Sequence, residues 1–412
     1  MKFSDMNQTL AHKLMRKKVQ PSMGGDPEFF VANKRGKVIN ADAFFPSKHD
    51  PLYVGPQKSP SKLFFDGIQA EIAFCHSRCR DNVLTNIRRC LELARNTIPD
   101  DHNILLKPSS KIDRTIIENA DPEARIFGCA PDFNAYTRAV NTTEMDASRH
   151  PFRYAGGHMH LGLSSDYLKE ECVEYKLVNN IEEHLKIVKF LDLMVSIPTL
   201  VLDNGTGSKR RRDKYGKAGC FRPTPYGVEY RTPSCWWIKS PMTTSLIFGF
   251  AKLAWTLLVN ELDTEFRNAI EPDEEVIRGI INESDVKSSV EMWKKMRPYM
   301  AISGVANTNP MNLRSVKVRG GLEYPPPEQC FIEELPHFKG VPIYPLAIFE
   351  YAVENGLESI ISKSVDKEWY LGKKYKDVSF YGSDGFVSLG YKRFNRNSDF
   401  LKFQESMLKE LY

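Results

Sequence analysis

Apolar and polar residues alternate along several short segments of the chain, a pattern typical of half-buried β-strands. We predict strands at 27–31, 37–41, 63–74, 158–163 and 226–232. Apolar residues at helical spacing predict three longer helices, at 80–97, 164–197 and 236–262. Because strands and helices mix without a regular βαβ alternation, the pattern indicates an α+β fold.

The pattern also divides the chain into three regions. Residues 1–20 are predicted to be a basic N-terminal arm or short helix, 21–270 to hold the sheet and its helices, and 271–412 to be a mainly helical C-terminal region of unknown role. The middle region contains a Pro-rich loop at 45–60 and a basic, glycine-containing loop at 205–221. Long loops without secondary structure of their own are usually functional or mobile.

Polar residues occur in pairs, two positions apart, on four of the predicted strands, so the members of each pair share a face. The pairs are Asp26 with Glu28, Gln69 with Glu71, His158 with His160, and Glu229 with Arg231. Any single pair is ordinary on the solvated face of an amphipathic sheet. Together they supply three Glu, one Asp and two His, and clustered carboxylates repel unless a cation lies among them. The pattern therefore predicts a Mg²⁺ or Mn²⁺ site, since hard cations prefer oxygen ligands and tolerate an imidazole.

The two histidines allow other interpretations. Paired His residues at this spacing can bind zinc, as in a metal-dependent hydrolase, and a buried His often only bonds a backbone carbonyl. The surrounding carboxylates favour a harder ion, with His158 as its ligand.

Basic residues concentrate in the 205–221 loop, mainly between 209 and 217. Such runs are most often solvated surface features or nucleic-acid contacts. This loop, however, mixes Arg with Gly and leads into Glu229 and Arg231, and guanidinium groups bind phosphate oxygens bidentately. We therefore predict a phosphate clamp that uses Arg211, Arg212, Lys217 and Arg222.

Composition and charge add weaker constraints. The formal net charge of +5 over 412 residues allows an anionic substrate without demanding nucleic acid. No CxxC pair occurs among the eight cysteines, so a structural zinc knuckle has little support. No apolar run approaches the roughly 20 residues that span a bilayer, and the N-terminal stretch is polar, so we expect a cytoplasmic protein without a membrane partner.

Five segments give the chain a resemblance to the glutamine synthetase/glutamate–cysteine ligase superfamily, and more closely to its phage-encoded carboxylate–amine ligase branch. In order, they are GGDPEFF (24–30), FDGIQAEIAF (65–74), GCAPDFNAY (128–136), AGGHMHLGL (155–163) and RRDKYGKAGCFRPTPYGVEYRTPSCWW (211–237). The last segment is long and specific, whereas GxHxH alone would carry little information.

This resemblance implies a glutamine-synthetase-like catalytic core over 21–270, built on a curved antiparallel sheet with helices on its outer face. The concave face would hold ATP and divalent ions. The metal ligands implied are Asp26, Glu28, Glu71, His158 and Glu229. Nucleotide phosphates would be bound by His160, Arg211, Arg212, Lys217 and Arg231, and a catalytic role is expected of Arg231, Arg222 and Arg212.

Two positions depart from the superfamily pattern. The further metal-binding Glu expected eight residues before Glu71 is Leu63, and Asp66 is the residue that would substitute for it. The Arg expected two residues before Glu229 is Gly227, so Arg222 or Arg212 would take its place.

The function implied is an ATP- and Mg²⁺-dependent ligase of the acid–amine or acid–amino-acid type. It would join a small-molecule or peptide carboxylate to an amine through an acyl phosphate, in the host cytoplasm if phage-encoded and as a homo-oligomer if its site lies near a subunit boundary. The 42–62 segment would be the lid that shields the acyl phosphate from water. The acid and the amine stay unidentified. Three alternatives remain: a guanidino-kinase-like phosphotransferase, a nucleic-acid-binding protein that uses the 209–217 loop, and a metal-dependent hydrolase.

Overall fold

A large antiparallel sheet organises the computed structural model, which describes residues 21–55, 60–125, 132–141, 150–163, 174–239 and 241–302. The strands are β1 (Ser22–Asn33), β2 (Val38–Ile39), β3 (Leu52–Val54), β4 (Ser61–Asp66), β5 (Gln69–Ser77), β6 (His102–Leu105), β7 (Ser109–Lys111), β8 (Asp132–Asn134), β9 (Val140–Asn141), β10 (Phe152–Tyr154), β11 (Gly157–Gly162), β12 (Cys220–Thr224) and β13 (Gly227–Tyr230). Strands β7 and β10 form a separate two-stranded sheet, and the other strands belong to the large one. The order across the sheet is β3-β4-β5-β1-β11-β13-β12-β8-β9, and β2 and β6 pair with β1. Strands from distant parts of the chain therefore meet at its centre.

Helices pack against this sheet and against one another. They are α1 (Arg80–Thr97), α2 (Arg114–Glu118), α3 (Tyr175–Asn179), α4 (Ile181–Leu191), α5 (Thr206–Arg212), α6 (Pro241–Val259), α7 (Asp263–Ile270), α8 (Glu274–Glu283) and α9 (Val286–Ile302). A π-helical turn, Asp192–Ser196, continues α4 into the short helix Ile197–Thr199. The α1 helix contacts β5, and α4 contacts β13.

The apolar residues that alternate with the polar pairs form part of one core. Ile72, Met159 and Val228 are completely buried and belong to the same hydrophobic cluster. Phe74 on β5 meets Trp237 and Phe248 edge to face, with ring centroids 6.5 and 6.1 Å away. Because side chains alternate along a strand, this packing turns the polar pairs toward the other face.

The α+β class is confirmed, and the helix predicted at 80–97 coincides with α1. The strand predicted at 63–74 is instead a hairpin of β4 and β5, in which Asp66 pairs with Gln69. Gly67 supplies the positive φ of 60° that the tight turn needs. Asp-Gly between apolar residues is itself a hairpin signal, so the prediction of one continuous strand over 63–74 was wrong.

Several loops also prove to contain structure. The 45–60 stretch includes β3, the edge strand of the sheet, and the 205–221 stretch begins with α5. The described part of the predicted 164–197 helix is divided between α3 and α4 at Asn180, and the 236–262 helix begins as the 3₁₀ turn Cys235–Lys239. The predicted arm at 1–20, the segments 56–59, 128–131 and 164–173, and the C-terminal region beyond 302 lie outside the described residues.

Within the described part of the chain, no helix is both long enough and apolar enough to cross a membrane.

Candidate metal and phosphate site

The cross-strand register brings the predicted polar pairs together. Asp26 on β1 pairs with His158 on β11, and Glu28 pairs with Glu71 on β5. His160 in turn pairs with Glu229 on β13. Residues directly opposite each other in an antiparallel sheet have Cβ atoms about 4.5–5.5 Å apart. Four strands thus place their carboxylates and imidazoles in one patch, which we call the carboxylate patch.

One half of the carboxylate patch consists of Asp26, His160 and Glu229, whose ligand atoms all lie within 4.8 Å of one another. His158 is adjacent, with Nδ1 3.2 Å from Asp26 Oδ1 and 3.6 Å from Glu229 Oε1. Tyr226 contacts the other side of His160, its hydroxyl 3.0 Å from Nδ1. The structure thus places His160, which sequence analysis assigned to phosphates, inside a metal-competent group and His158 beside it.

The other half consists of Glu28, Asp66 and Glu71, again with ligand atoms within 4.8 Å of one another. The Gly156 backbone N–H donates to Glu28 Oε2 at 2.7 Å and fixes that carboxylate. Asp66 thus lies with Glu28 and Glu71, whereas Leu63, where the superfamily pattern has a Glu, is fully buried in the core.

Gln69, the partner of Glu71 in the sequence pattern, is hydrogen-bonded to the main chain. Its side-chain amide donates to the Tyr154 carbonyl at 2.5 Å, which ties β5 to β10. The residue predicted as a polar partner of Glu71 therefore has a structural contact.

Burial and mutual repulsion govern the charge of this second cluster. Burial and, after it, the charge of Asp66 raise the pKa of Glu28 to about 8, against the opposing hydrogen bond from the Gly156 N–H. Burial, then the charges of Asp26 and Asp66, hold the pKa of Glu71 well above its usual range. Such carboxylates ionise together only when a cation compensates them.

In the other group, formed by Asp26, His160 and Glu229, histidines offset the carboxylate charge. Burial would raise the pKa of Asp26, but the imidazoles of His160 and His158 outweigh it and hold that pKa well below its usual range. Asp26 Oδ1 and His160 Nε2 lie 3.4 Å apart, yet both are buried and form no hydrogen bond with any described residue. Buried polar atoms without hydrogen bonds are rare in folded proteins. The donor set fits a divalent cation such as Mg²⁺ or Mn²⁺.

Two arginines hold Glu229 at the edge of the patch. Arg231 Nη1 donates to Glu229 Oε1 at 2.5 Å, and Arg222 Nη1 donates to both carboxylate oxygens at 2.9 and 3.2 Å. Arg231 Nε also lies 3.4 Å from Asp132 Oδ2. Sequence analysis left Asp132 unassigned, although its place in the GCAPDFNAY segment was a signal that could have identified it.

Gly227 explains why Arg222 occupies this place. Gly227 has a φ of 149°, and a Cβ there would collide with the carbonyl oxygen of Leu161. No side chain fits, so an arginine cannot stand at this position. Arg222 approaches Glu229 from the neighbouring strand β12, where the two residues pair directly.

Arg211 and Arg212 lie elsewhere, with their guanidinium groups engaged inside the protein. Arg211 is fully buried and donates to the carbonyls of Thr232 and Arg231 at 2.8 and 2.9 Å. Arg212 forms an ion pair with Asp203 at 2.9 Å, both side chains being at most 4% exposed. These contacts show both guanidinium groups bonded within the protein, and their contact with phosphate stays a prediction.

Lys217, the remaining basic residue of the predicted clamp, is exposed. Its carbonyl accepts hydrogen bonds from Thr232 Oγ1 and the Cys220 N–H. Those bonds fix the backbone before β12 and leave the ammonium group at the surface.

Asp192 supports the site strand from its other face. Its Oδ1 accepts hydrogen bonds from the Tyr230 hydroxyl at 2.5 Å and from Thr232 Oγ1 at 3.3 Å. Tyr230 lies between Glu229 and Arg231 in the chain, so this contact fixes the strand that carries them. Asp192 belongs to the π-helical turn, and such turns are frequent near functional sites. Sequence analysis missed it, because an acidic residue within an apolar helix carries no motif.

We expect Asp192→Asn to reduce the pH dependence of stability between about pH 4 and pH 7. Burial raises the pKa of Asp192 from 3.8 to about 7, outweighing the hydrogen bonds that lower it. The folded state therefore binds more protons than the unfolded state, so the group's contribution is complete below pH 4 and is lost as the pH rises through 7. Urea unfolding at pH 5 and pH 8 measures this effect. The wild type should lose more stability than the variant over that interval, and equal losses would contradict the prediction.

The comparisons with known proteins address the C-terminal half of this site. Residues 176–296 match the family model of the phage phiEco32-like COOH.NH2 ligase-type 2. The resemblance to phage carboxylate–amine ligases is confirmed. The match covers less than a third of the chain and includes Glu229, Arg222 and Arg231, whereas the residues of β1, β4, β5 and β11 precede it.

Other comparisons are weaker. Among solved structures, the chain is similar to a bifunctional glutathione synthetase from Pasteurella multocida, at 10% identity and a TM-score of 0.37. The similarity covers 95% of this chain and 54% of that protein, so the chain spans about half its length. Similarity at this level supports no argument about function. No curated protein sequence matches the chain.

Proposed function

We propose that the protein is an ATP- and Mg²⁺-dependent ligase that joins a carboxylate to an amine through an acyl phosphate. The observation that carries the proposal is the carboxylate patch, in which two three-residue groups share strand β1 and border Arg222 and Arg231. The family match over 176–296 supports the ligase class. A glutamine-synthetase-like arrangement of the sheet and an acid–amine or acid–amino-acid specificity are the finer parts of the proposal.

The donor sets suggest how the site is divided. Asp26, His160 and Glu229 would hold one divalent ion, with His158 alongside, and Glu28, Asp66 and Glu71 would hold another. Bound there, such ions would neutralise phosphate charge as the phosphoryl group transfers.

The arginines would act on the reacting phosphates. Arg222 and Arg231 are both paired with Glu229, which holds their guanidinium groups beside the proposed ion and pre-orients their positive charge toward phosphate oxygens. Because Arg211 and Arg212 are internally bonded, we assign them to the scaffold of this strand and not to catalysis. Lys217 keeps its proposed phosphate contact, since its ammonium group is exposed.

The catalytic core is proposed to extend beyond its predicted limit at 270. Arg212 donates to Ser284 Oγ, and the Ala218 N–H donates to Asn282 Oδ1. Ser289 Oγ likewise donates to the Ile197 carbonyl. These bonds join α8 and α9 to the site scaffold, and the family match ends close by, at residue 296.

The proposed chemistry predicts the fate of the carboxylate oxygen. With an acid and amine found by phosphate release from ATP, an ¹⁸O-labelled carboxylate should transfer one label into phosphate for each amide formed. That oxygen leaves with the phosphoryl group when the amine attacks the acyl phosphate. Mass spectrometry of the phosphate measures the transfer, with ADP as the nucleotide product.

Each rival predicts a different product. Label retained wholly in the amide, or AMP as the product, would refute the acyl-phosphate route. A stable phosphorylated product formed without an amine would indicate a phosphotransferase. Turnover without ATP would indicate a hydrolase, and salt-sensitive binding of DNA or RNA that ignores ATP would indicate a nucleic-acid-binding protein.

A further inference from the structure

Lys48 lies beside the Glu28–Asp66–Glu71 cluster, because Ser47 forms a bridge with Phe65, the residue before Asp66. Lys48 lowers the pKa of Asp66 more than any other charge does, although burial raises that pKa overall. Arg211 lowers the pKa of Glu28 in the same way, against the larger effect of burial. An anionic ligand at this cluster would meet one or both of these cations.

Arg211 cannot turn toward a ligand. Two of its N–H groups bond main-chain carbonyls, and its guanidinium stacks 4.2 Å from the centroid of the Tyr215 ring. Breaking these contacts would leave buried polar atoms without hydrogen bonds, which costs about 1–3 kcal/mol for each group. Arg211 therefore acts as a fixed background charge.

Lys48 is held next to the cluster by its own backbone. Ser47 forms a parallel bridge with Phe65, and the Phe65 N–H donates to the Pro46 carbonyl at 3.0 Å. Ser47 Oγ also donates to Glu123 Oε2 at 2.8 Å. Because Phe65 directly precedes Asp66, these bonds fix the loop beside the end of β4.

The ammonium group of Lys48, in contrast, is loosely bound. Its Nζ lies 3.8 Å from Glu123 Oε1, and the side chain is 45% exposed. Exposed ion pairs of this kind contribute about 0–1 kcal/mol. An ammonium has three donors on a flexible stem, so Lys48 can exchange Glu123 for a ligand at small cost.

We propose that Lys48 is a ligand-binding residue that contacts the terminal phosphoryl group of a nucleoside triphosphate held at the Glu28–Asp66–Glu71 cluster. The proposal rests on the proposed function and adds a residue to it. The anchored backbone brings Lys48 to the cluster, while the weak pair with Glu123 keeps its donors available. Mg²⁺ is typically bound by one or two carboxylates together with substrate phosphates, which places a phosphoryl group at this point.

The test compares Lys48→Met with Lys37→Met, its matched control. Lys37 is also half-exposed and paired with a carboxylate, Asp113, at 3.2 Å, but it lies beyond the far end of β1. Calorimetry would measure the binding of Mg-AMPPNP and of Mg-ADP to each protein. Lys48→Met should weaken AMPPNP binding by about tenfold or more, the usual effect of one charged hydrogen bond, and ADP binding by less than about twofold.

Each outcome decides a separate point. Lys37→Met should match the wild type for both nucleotides, and Lys48→Arg should recover part of the AMPPNP affinity. If Lys48→Met keeps the wild-type ratio of AMPPNP to ADP affinity, the role of Lys48 is refuted and the ligase proposal stands. Wild-type protein that binds neither nucleotide would overturn both the role of Lys48 and the ligase proposal.

Discussion

Glu229→Gln should weaken the Mg²⁺-dependent binding of ATP by about 100-fold or more. Glu229 belongs to a metal-competent group and accepts hydrogen bonds from Arg222 and Arg231. Glutamine preserves the shape and one acceptor but removes the charge that a cation needs. Changes outside the ligand set alone typically cost 10–100-fold in metal affinity, so loss of a ligand should cost at least the upper end of that range. Calorimetry with Mg-ATP measures it.

Glu182→Gln is the matched control for this change. Glu182 also accepts two hydrogen bonds from an arginine, Arg138, at 2.6 and 2.9 Å, but both residues are exposed and lie outside the carboxylate patch. Its ATP affinity should equal that of the wild type. Near-UV circular dichroism should show that both variants keep their tertiary packing. Unchanged ATP affinity in Glu229→Gln would remove Glu229 from the metal site.

Arg212→Met should lower the free energy of unfolding by about 3–5 kcal/mol, the usual cost of removing one partner from a buried ion pair. Asp203 would remain buried and would keep only its hydrogen bonds from Ser208 and Ser234. Ser284 would lose the guanidinium donor at 2.6 Å. Urea unfolding measures the change, and Asp203→Asn/Arg212→Met should cost less than the sum of the single changes because the two residues interact directly.

Lys209→Met tests whether the loss comes from charge alone. Lys209 lies on the same helix, α5, but is exposed, so its stability should change by less than about 0.5 kcal/mol. The folded fraction of Arg212→Met should bind Mg-ATP as the wild type does. A loss of ATP affinity without a loss of stability would restore Arg212 to the phosphate contacts first expected of it.

The sequence by itself determined which residues share a face. Side chains alternate along a strand, so Asp26 with Glu28 and Glu229 with Arg231 had to point the same way once their segments were strands. Helix α1 was equally readable, because its apolar spacing runs uninterrupted from 80 to 97 and Pro99 follows. These features depend only on neighbouring residues and on backbone geometry.

Only the tertiary structure decided how those residues group. The register sets Glu28 opposite Glu71 and Asp26 opposite His158, and it follows from pairing between segments that lie far apart in the chain. Asp66 joins the cluster only because a turn at Gly67 separates β4 from β5.

Dependence on distant parts of the chain also explains why the sequence did not predict the burial of Arg211 and Arg212. A run of basic residues predicts an exposed surface because an isolated charge is costly to bury. Arg211 and Arg212 are nevertheless buried, since partners from other segments satisfy them: the Thr232 carbonyl for Arg211 and Asp203 for Arg212. Whether a charged side chain binds a ligand or supports the fold depends on partners that no local pattern contains.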